Sequence, residues 1–428
     1  MIEHMFDRVN PNRTNRCERP GSGYGDAMTG LVLTFGVALL LAVATSDLAS
    51  KSPLSSTSVF LAVGLVAGPL GLDVIDVPGK VVEGTAVVAL YTILFTDGQV
   101  APWPVLRRHW RPSASALLLG MPLTLALIAA LAHWVTGLPW VPSLVLGAVL
   151  APTDPVFASA LVGRHDVPKP VRNLLNIESG VNDGLALPAV LLLVGVSGGN
   201  PHGRSTDLWT LLLQLGAGVV LGIAVPFAAW LLYRAPHLGT VTSMRPLGHV
   251  AIAVVLFGVC QLTAANAFLA AFAAGSTIAT LETDATDAFR HTGERLSELL
   301  QGAALLAFAT LFGPALFATA GIPGFVFAAL VIAVSRPVPV FTVLTGTRLS
   351  VRQRLSVAWF GPKGFASVAY AAIVAFSGMD HAEEVVALTA VTVLLSALAH
   401  SSTDLFIAEK LAEEERARPG ETARDHAA

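Results

Sequence analysis

Long hydrophobic runs, separated by short polar breaks, extend over most of the chain. Most runs are about 20 residues long, the length that an α-helix needs to cross a bilayer, and they do not alternate as the strands of a membrane barrel do. The stretch at 247–281 fits two short helices or one long bent helix. Breaks at proline, glycine and charged residues predict thirteen spanning helices, at residues 28–49, 54–72, 81–101, 113–136, 142–161, 171–197, 207–233, 247–263, 265–281, 299–319, 321–345, 355–378 and 383–406.

The composition agrees with this pattern. Hydrophobic residues make up 54% of the chain and charged residues only 13%, whereas a soluble domain carries about 25% charged residues. We therefore predict an all-α polytopic membrane protein, with residues 28–406 as its transmembrane domain. The two cysteines, Cys17 in a polar tail and Cys260 in a hydrophobic run, indicate neither a disulfide framework nor a cysteine metal site.

The basic residues predict how the chain is oriented. Thirteen spans place 18 Lys and Arg residues on one side and six on the other, and cytoplasmic loops are the ones enriched in such residues. This asymmetry predicts an outside amino terminus and a cytoplasmic carboxyl terminus in the cytoplasmic membrane. The polar tail at 1–27 contains four of the six basic residues on the outer side, and arginines are unfavourable there. A second interpretation therefore takes Met28 as the true start. The polar tail at 407–428 is too short for a nucleotide-binding regulatory domain.

The first helix interruption is the sequence APTDPV. Pro152 and Pro155 lack amide hydrogens, so the carbonyls of Ala148 and Ala151 lose their usual helical donors. Such carbonyls are tolerated at membrane depth where the backbone lines a cavity or is buried in protein. With Asp154 beside them, the pattern favours a broken helix that binds a cation. A simple proline kink, with Asp154 facing a polar neighbour, is the alternative.

The second interruption is the sequence GPKG, formed by Gly361, Pro362, Lys363 and Gly364. Pro362 removes the donor for the carbonyl of Ala358. Each interrupted helix is preceded by at least three hydrophobic spans and followed by at least one. Paired interruptions of this kind predict an inverted repeat, in which two broken helices cross and the binding site lies at the repeat interface.

The stretch NIESGVNDG adds polar side chains to the helix after the first interruption. Glu178 and Asn182 are four residues apart and share one face, while Ser179 and Asp183 share the adjoining face. This spacing predicts that the second pair can face Asp154 while Glu178 turns toward another helix.

Six ionisable residues lie at membrane depth, namely Asp97, Asp154, Glu178, Asp183, Arg336 and Lys363. Charges there are costly and mark an ion or proton path by default. Carboxylate, hydroxyl and carbonyl oxygens suit a hard cation. Glu178 is the natural partner of Arg336, which leaves Asp154 and Asp183 able to titrate. A packing role for this ion pair is the alternative.

Together, APTDPV, ESGVNDG about 25 residues later, SRP and the late GPKG break resemble the monovalent cation/proton antiporters, specifically the NhaP-like sodium/proton exchangers with an Asn-Asp pair. The resemblance covers about residues 30 to 405. It implies a protomer of 13 helices with a core subdomain and a dimerisation subdomain, a homodimer in the bilayer, and alternating access of the elevator type.

The resemblance also implies the roles of the site residues. Asp183 would bind the cation, Na⁺, or the proton, with Asp154 and Ser179 as further ligands. Thr153 would contribute through its backbone, and Asp97 would reach the ion, often through water.

Other residues would have structural roles. Asn182 would fix the broken helices, and Glu178 would pair with Arg336. Relatives usually carry arginine where Lys363 stands, and lysine keeps the charge but loses the bidentate fork.

The predicted function is therefore secondary antiport of Na⁺ and H⁺ that supports pH homeostasis, without a cofactor or a nucleic-acid partner. The Asn-Asp pair implies electroneutral exchange by analogy with the family. Potassium is the alternative cation. A passive channel or an intramembrane enzyme is a more remote alternative, since titratable carboxylates in broken helices suit occlusion and no HExxH or serine-base motif is present.

Three histidines lie near span ends, at His133, His249 and His400. A single histidine at such a position is more often a polar neighbour with satisfied hydrogen bonds than a sensor. We therefore assign these histidines no role from the sequence.

Overall fold

The computed structural model describes residues 24–45, 56–75, 77–104, 119–153, 182, 186–199, 208–235, 244–281, 283–345 and 350–416. Every regular element within these ranges is helical. The helices are α1 Tyr24–Ala44, α2 Ser56–Ala67, α3 Gly79–Val100, α4 Met121–Leu131, α5 Trp140–Leu150, α6 Ala186–Val196, α7 Leu208–Tyr233, α8 Arg245–Thr263, α9 Ala267–Leu281, α10 Thr283–Ala309, α11 Pro314–Leu330, α12 Pro337–Val343, α13 Val351–Trp359, α14 Phe365–Phe376 and α15 Ala382–Arg416. Two π-helical segments, Ala132–Thr136 and Val331–Ser335, extend α4 and α11.

The helices have the length and composition of membrane spans. Four segments in the described ranges are long and apolar enough to cross a bilayer, at Gly79–Val100, Leu212–Tyr233, Pro314–Val343 and Ala382–His400. Eight shorter apolar helices of 10–17 residues accompany them in the same ranges. The prediction of an all-α polytopic membrane protein is confirmed.

The stretch at 247–281 forms two helices. Helix α8 ends where Ala264 adopts a left-handed conformation with φ 56°, which a non-glycine residue rarely adopts. The Asn266 Oδ1 atom then accepts a hydrogen bond of 2.8 Å from the amide of Leu269, near the start of α9. This capping bond satisfies an amide at the start of the new helix.

The sequence missed one break and located another. The predicted span 299–319 contains a break that the sequence did not indicate, because α10 ends at Ala309 and α11 begins at Pro314. Proline favours the first position of a helix, where its missing amide hydrogen costs nothing. The predicted boundary at residue 320 coincides with Gly321, whose φ of 56° and ψ of −173° are non-helical, so two helical segments meet there in a kink within α11.

The helices pack in two groups. The first contains α1, α2, α3, α7, α8, α9 and α10, and the second contains α4, α5 and α11 to α15. Within the first group α3 and α9 approach so closely that a Cβ atom on Gly98 would lie 2.2 Å from the carbonyl oxygen of Phe272. Helix α14 contacts α3 and α10 of the first group as well as α5 and α15 of the second. Helix α14 therefore connects the two groups.

Candidate functional site

The structure describes the second helix interruption in full and the first up to Thr153, and both begin where the sequence predicts them. Helix α5 ends at Leu150, and the chain is non-helical at Pro152 and Thr153. Residues 360–364 separate α13 from α14, with Phe360 extended at φ −70° and ψ 91°. Backbone groups in both interruptions therefore lack part of their helical hydrogen bonding.

Lys363 connects the two interruptions. Its Nζ atom donates to the carbonyl oxygens of Ala151 and Pro152, each at 3.3 Å, and the residue is only 2% exposed. The sequence predicts that the Ala151 carbonyl loses its helical donor, and the structure supplies Lys363 as a replacement. A buried ammonium needs such acceptors, because burying an unsatisfied charge is very costly. The crossing of the two broken helices is thus held by a side chain of one and carbonyls of the other.

Thr153 is the acceptor for two buried donors. The Asn182 Nδ2 atom and the Arg336 Nη1 atom each lie 3.5 Å from the Thr153 hydroxyl oxygen. All three residues are at least 95% buried. Asn182 therefore contacts the first interruption directly, and its role in fixing the broken helices stays a prediction. The Oδ1 atom of Asn182 is buried without a hydrogen-bond partner in the described part of the chain.

Arg336 contacts both interruptions. It follows the π-helical segment Val331–Ser335 and precedes α12. Its side chain lies against Gly361, where an added Cβ atom would be 1.9 Å from Arg336 Cδ and 2.0 Å from Nε. Glycine at this position therefore makes room for the guanidinium, which also reaches Thr153.

Asp97 lies in the last turn of α3 and is half-buried. Its neighbour Thr96 is hydrogen-bonded to Ser297 of α10, with 3.2 Å between the hydroxyl oxygens. Asp97 therefore belongs to the first packing group, whereas the interruptions belong to the second. Five predicted site residues lie outside the described residues, namely Asp154, Pro155, Glu178, Ser179 and Asp183. The predicted pair of Glu178 and Arg336 is not described, because Glu178 is one of these five residues.

Ser396, which the sequence did not indicate, and His400, to which it assigned no role, lie beside the second interruption. Ser396 Oγ accepts a hydrogen bond of 2.8 Å from the Lys363 amide. His400 Nε2 lies 3.1 Å from the carbonyl oxygen of Trp359. Their spacing of four residues on α15 places them on one face, but only the packing of α15 against the interruption shows what that face contacts.

A Gly361→Ala substitution tests the contact with Arg336. The new methyl group would overlap the Arg336 side chain, so we expect a lower melting temperature. A Gly84→Ala change in α3 is the control, because nothing lies within 4 Å of the position where its Cβ would stand and alanine favours a helix by about 1 kcal/mol over glycine. Equal melting temperatures for the two variants would contradict the assigned contact.

Comparison with known proteins identifies the family. Residues 36–408 match the family model described as sodium/hydrogen exchanger, transmembrane. The chain belongs to this exchanger family. The predicted NhaP-like resemblance is confirmed. One relative is the K(+)/H(+) antiporter NhaP of Alkalimonas amylolytica, which is 26% identical over 79% of this chain and 59% of that protein. The K(+)/H(+) antiporter NhaP2 of Shewanella sp. (strain MR-4) is 24% identical over 91% of this chain and 68% of its own.

The exchanger fold is also seen in a solved structure. The sodium proton antiporter MjNhaP1 from Methanocaldococcus jannaschii, solved at pH 8, superposes with a TM-score of 0.73 at 20% identity, covering 90% of this chain and 99% of that one. The fold is therefore that of this antiporter. The chain spans about three fifths of the length of the NhaP relative and about two thirds of the length of the NhaP2 relative.

Proposed function

We propose that the chain is a secondary antiporter that exchanges a monovalent cation for protons, and that it is not an enzyme. The observation that carries the proposal is the crossing of two interrupted helices through Lys363. Transporters place ion sites where half-helices meet at membrane depth, because the freed backbone groups can face a bound ion. The names of the relatives, which are sodium/proton and potassium/proton antiporters, support the same class of function.

Asp183 and Asp154 are the proposed exchange site, with Ser179, Thr153 and Asp97 as further ligands. The hydrogen bond between Asn182 and Thr153 supports this assignment. Each of these two residues immediately precedes one of the proposed carboxylates in the sequence. A cation and a proton would compete for the carboxylates, because a bound cation favours the charged form and burial favours the protonated form.

Sodium is the proposed cation, and exchange is proposed to be electroneutral. Potassium is the second candidate, because the two curated relatives are K(+)/H(+) antiporters by name. Carboxylate and hydroxyl oxygens suit either hard cation. No cofactor is part of this proposal, since the ions themselves are the substrates.

The assembly and topology are proposals as well. The first packing group is proposed as the dimerisation subdomain of a homodimer and the second as the core, both within residues 28–406. Exposed apolar side chains on the first group support contact with lipid or a second protomer, for example Leu33 at 68% exposure and Val254 at 67%. We propose that residues 1–27 form a tail outside the cytoplasmic membrane and that residues 407–428 form a cytoplasmic tail.

Cation selectivity can be measured in proteoliposomes that carry an acidic interior and a pH-sensitive dye. We expect sodium to dissipate the pH gradient fastest when sodium, potassium and lithium are added in turn. Protein-free liposomes correct for leakage. A response to potassium alone would replace sodium by potassium in the proposal. No response to any of the three cations would overturn antiport itself.

Competition between ions makes a second measurable prediction. As the pH falls, the apparent KM for sodium should rise while the maximal rate stays the same, because protons occupy the carboxylates that bind sodium. Initial rates over a matrix of pH and sodium concentration provide the measurement. A rate at acid pH that saturating sodium does not restore would show that protons act elsewhere.

A further inference from the structure

The second interruption lacks one particular helical hydrogen bond. In a continuous α-helix, the amide of Lys363 would donate to the carbonyl of Trp359, four residues earlier. Here the Lys363 amide donates to Ser396 Oγ at 2.8 Å, and the Trp359 carbonyl oxygen lies 3.1 Å from His400 Nε2. The Ser396 Oγ atom lies 3.2 Å from His400 Nδ1. Two side chains of α15 therefore stand between the two backbone groups that a regular helix would join directly.

The chemistry of these groups fixes the direction of two of the three hydrogen bonds, and the His400 tautomer sets the direction of the third. A carbonyl oxygen can only accept, so His400 Nε2 must carry a hydrogen to bond with Trp359. Ser396 Oγ accepts from the Lys363 amide and has its own hydrogen to donate to His400 Nδ1. The result is a continuous relay from the Lys363 amide through Ser396 and His400 to the Trp359 carbonyl.

The relay requires a neutral histidine with its hydrogen on Nε2. A hydrogen on Nδ1 as well would allow a bond to the Ser396 carbonyl oxygen, 2.9 Å away. That form is a cation, and it would lie in the same buried region as the Lys363 ammonium. Two like charges in a region of low dielectric repel strongly. The neutral form with its hydrogen on Nε2 makes each hydrogen bond of the relay without that repulsion, and its Nδ1 lone pair then faces both Ser396 Oγ at 3.2 Å and the Ser396 carbonyl oxygen at 2.9 Å.

The two side chains of the relay are buried. Ser396 is 0% exposed and His400 is 2% exposed. The indole of Trp359 donates from Nε1 to Thr403 Oγ1 at 3.0 Å, and its ring centroid lies 5.4 Å from that of His400. Ser396, His400 and Thr403 thus form one face of α15 directed at the interruption. Hydrogen bonds in such an environment are costly to lose, because water cannot replace the missing partner.

We propose that Ser396 and His400 are positioning residues that hold the α13–α14 interruption open. Ser396 holds the backbone of Lys363, whose side chain holds the carbonyls of Ala151 and Pro152 in the first interruption. Without the relay, the Trp359 carbonyl and the Lys363 amide lose their partners and are drawn toward re-forming the helical bond. That movement displaces Lys363 and distorts the cation site. The inference rests on the proposed antiport, because its effect is read through cation binding.

His400→Gln and His400→Leu separate the relay from simple packing. A glutamine amide can donate to Trp359 and accept from Ser396, so it keeps both bonds, whereas leucine fills similar space and keeps neither. We expect His400→Gln to stay within about threefold of the wild-type KM, and His400→Leu to raise the KM for the transported cation by about tenfold or more, the size expected for leaving a buried polar group unsatisfied. Ser396→Ala should shift the KM in the same direction. Initial rates in proteoliposomes measure each KM.

The control is His133→Gln, because His133 bonds to the Leu138 carbonyl and stacks on Trp140, away from both interruptions. Wild-type kinetics for His400→Leu would overturn the inference, as would equal impairment of the glutamine and leucine variants when both are folded. If wild-type protein itself shows no exchange, the proposed function fails.

A second measurement then still tests the relay. NMR of protein labelled with ¹⁵N-histidine, with the His400 signal assigned by its loss in His400→Gln, should show the hydrogen on Nε2. A hydrogen on Nδ1, with or without one on Nε2, would overturn the relay whatever the transport result, and the same measurement decides the case if His400→Leu does not fold.

Discussion

Asp183→Asn is expected to reduce cation-driven proton exchange to the level of protein-free vesicles. Asparagine has nearly the same shape as aspartate, but its amide carries no charge for a cation and no group that titrates in the accessible range. Both halves of the proposed exchange depend on the same carboxylate, so neither cation binding nor proton carriage should survive. Dye dequenching at several sodium concentrations measures the loss, and saturating sodium should not restore the rate.

The matched control is Asp380→Asn, which removes a carboxylate that is exposed between α14 and α15. It makes the same chemical change without touching the proposed site, so its exchange rate should equal that of wild type. Exchange by the Asp183 variant at the wild-type rate would remove Asp183 from the site. Asp154→Asn should then be tested for the same role.

Local chemistry explains why the helix interruptions could be predicted from sequence. Proline lacks an amide hydrogen wherever it occurs, so Pro152 and Pro362 mark disrupted hydrogen bonding without knowledge of the fold. Pro155 identifies the Ala151 carbonyl, four residues earlier, in the same way. What the sequence could not supply was its new donor, because Lys363 reaches Ala151 from 212 positions away along the chain. Such a pairing depends on which helices cross.

The missed break between α10 and α11 has a related cause. Hydropathy does not detect a break whose own residues are apolar, as Leu311 and Phe312 are here. The boundary predicted at residue 320 agrees with the kink at Gly321, because glycine can adopt the positive φ that such a kink requires and is visible in the sequence itself.

His400 shows the limit of reasoning from frequencies. The prediction that it is a polar neighbour with satisfied hydrogen bonds agrees with the structure, since both ring nitrogens have hydrogen-bonding partners. The partners themselves give the residue its importance, because they are the backbone groups of a broken helix. A rule for single histidines cannot include that information, since it depends on the packing of α15 against residues 359–363.

Lys363→Met is expected to reduce exchange strongly and to lower the melting temperature. Methionine keeps the length and much of the volume of lysine but donates no hydrogen bond, so the carbonyls of Ala151 and Pro152 lose the ammonium that contacts them. Each buried group left unsatisfied costs about 1–3 kcal/mol. Lys363→Arg is the matched variant, because a guanidinium keeps the charge and offers five donors. We expect it to exchange within about threefold of wild type. If both variants are inactive, the interruption requires the shape of lysine. If both are active, the bond between the two broken helices does not support transport.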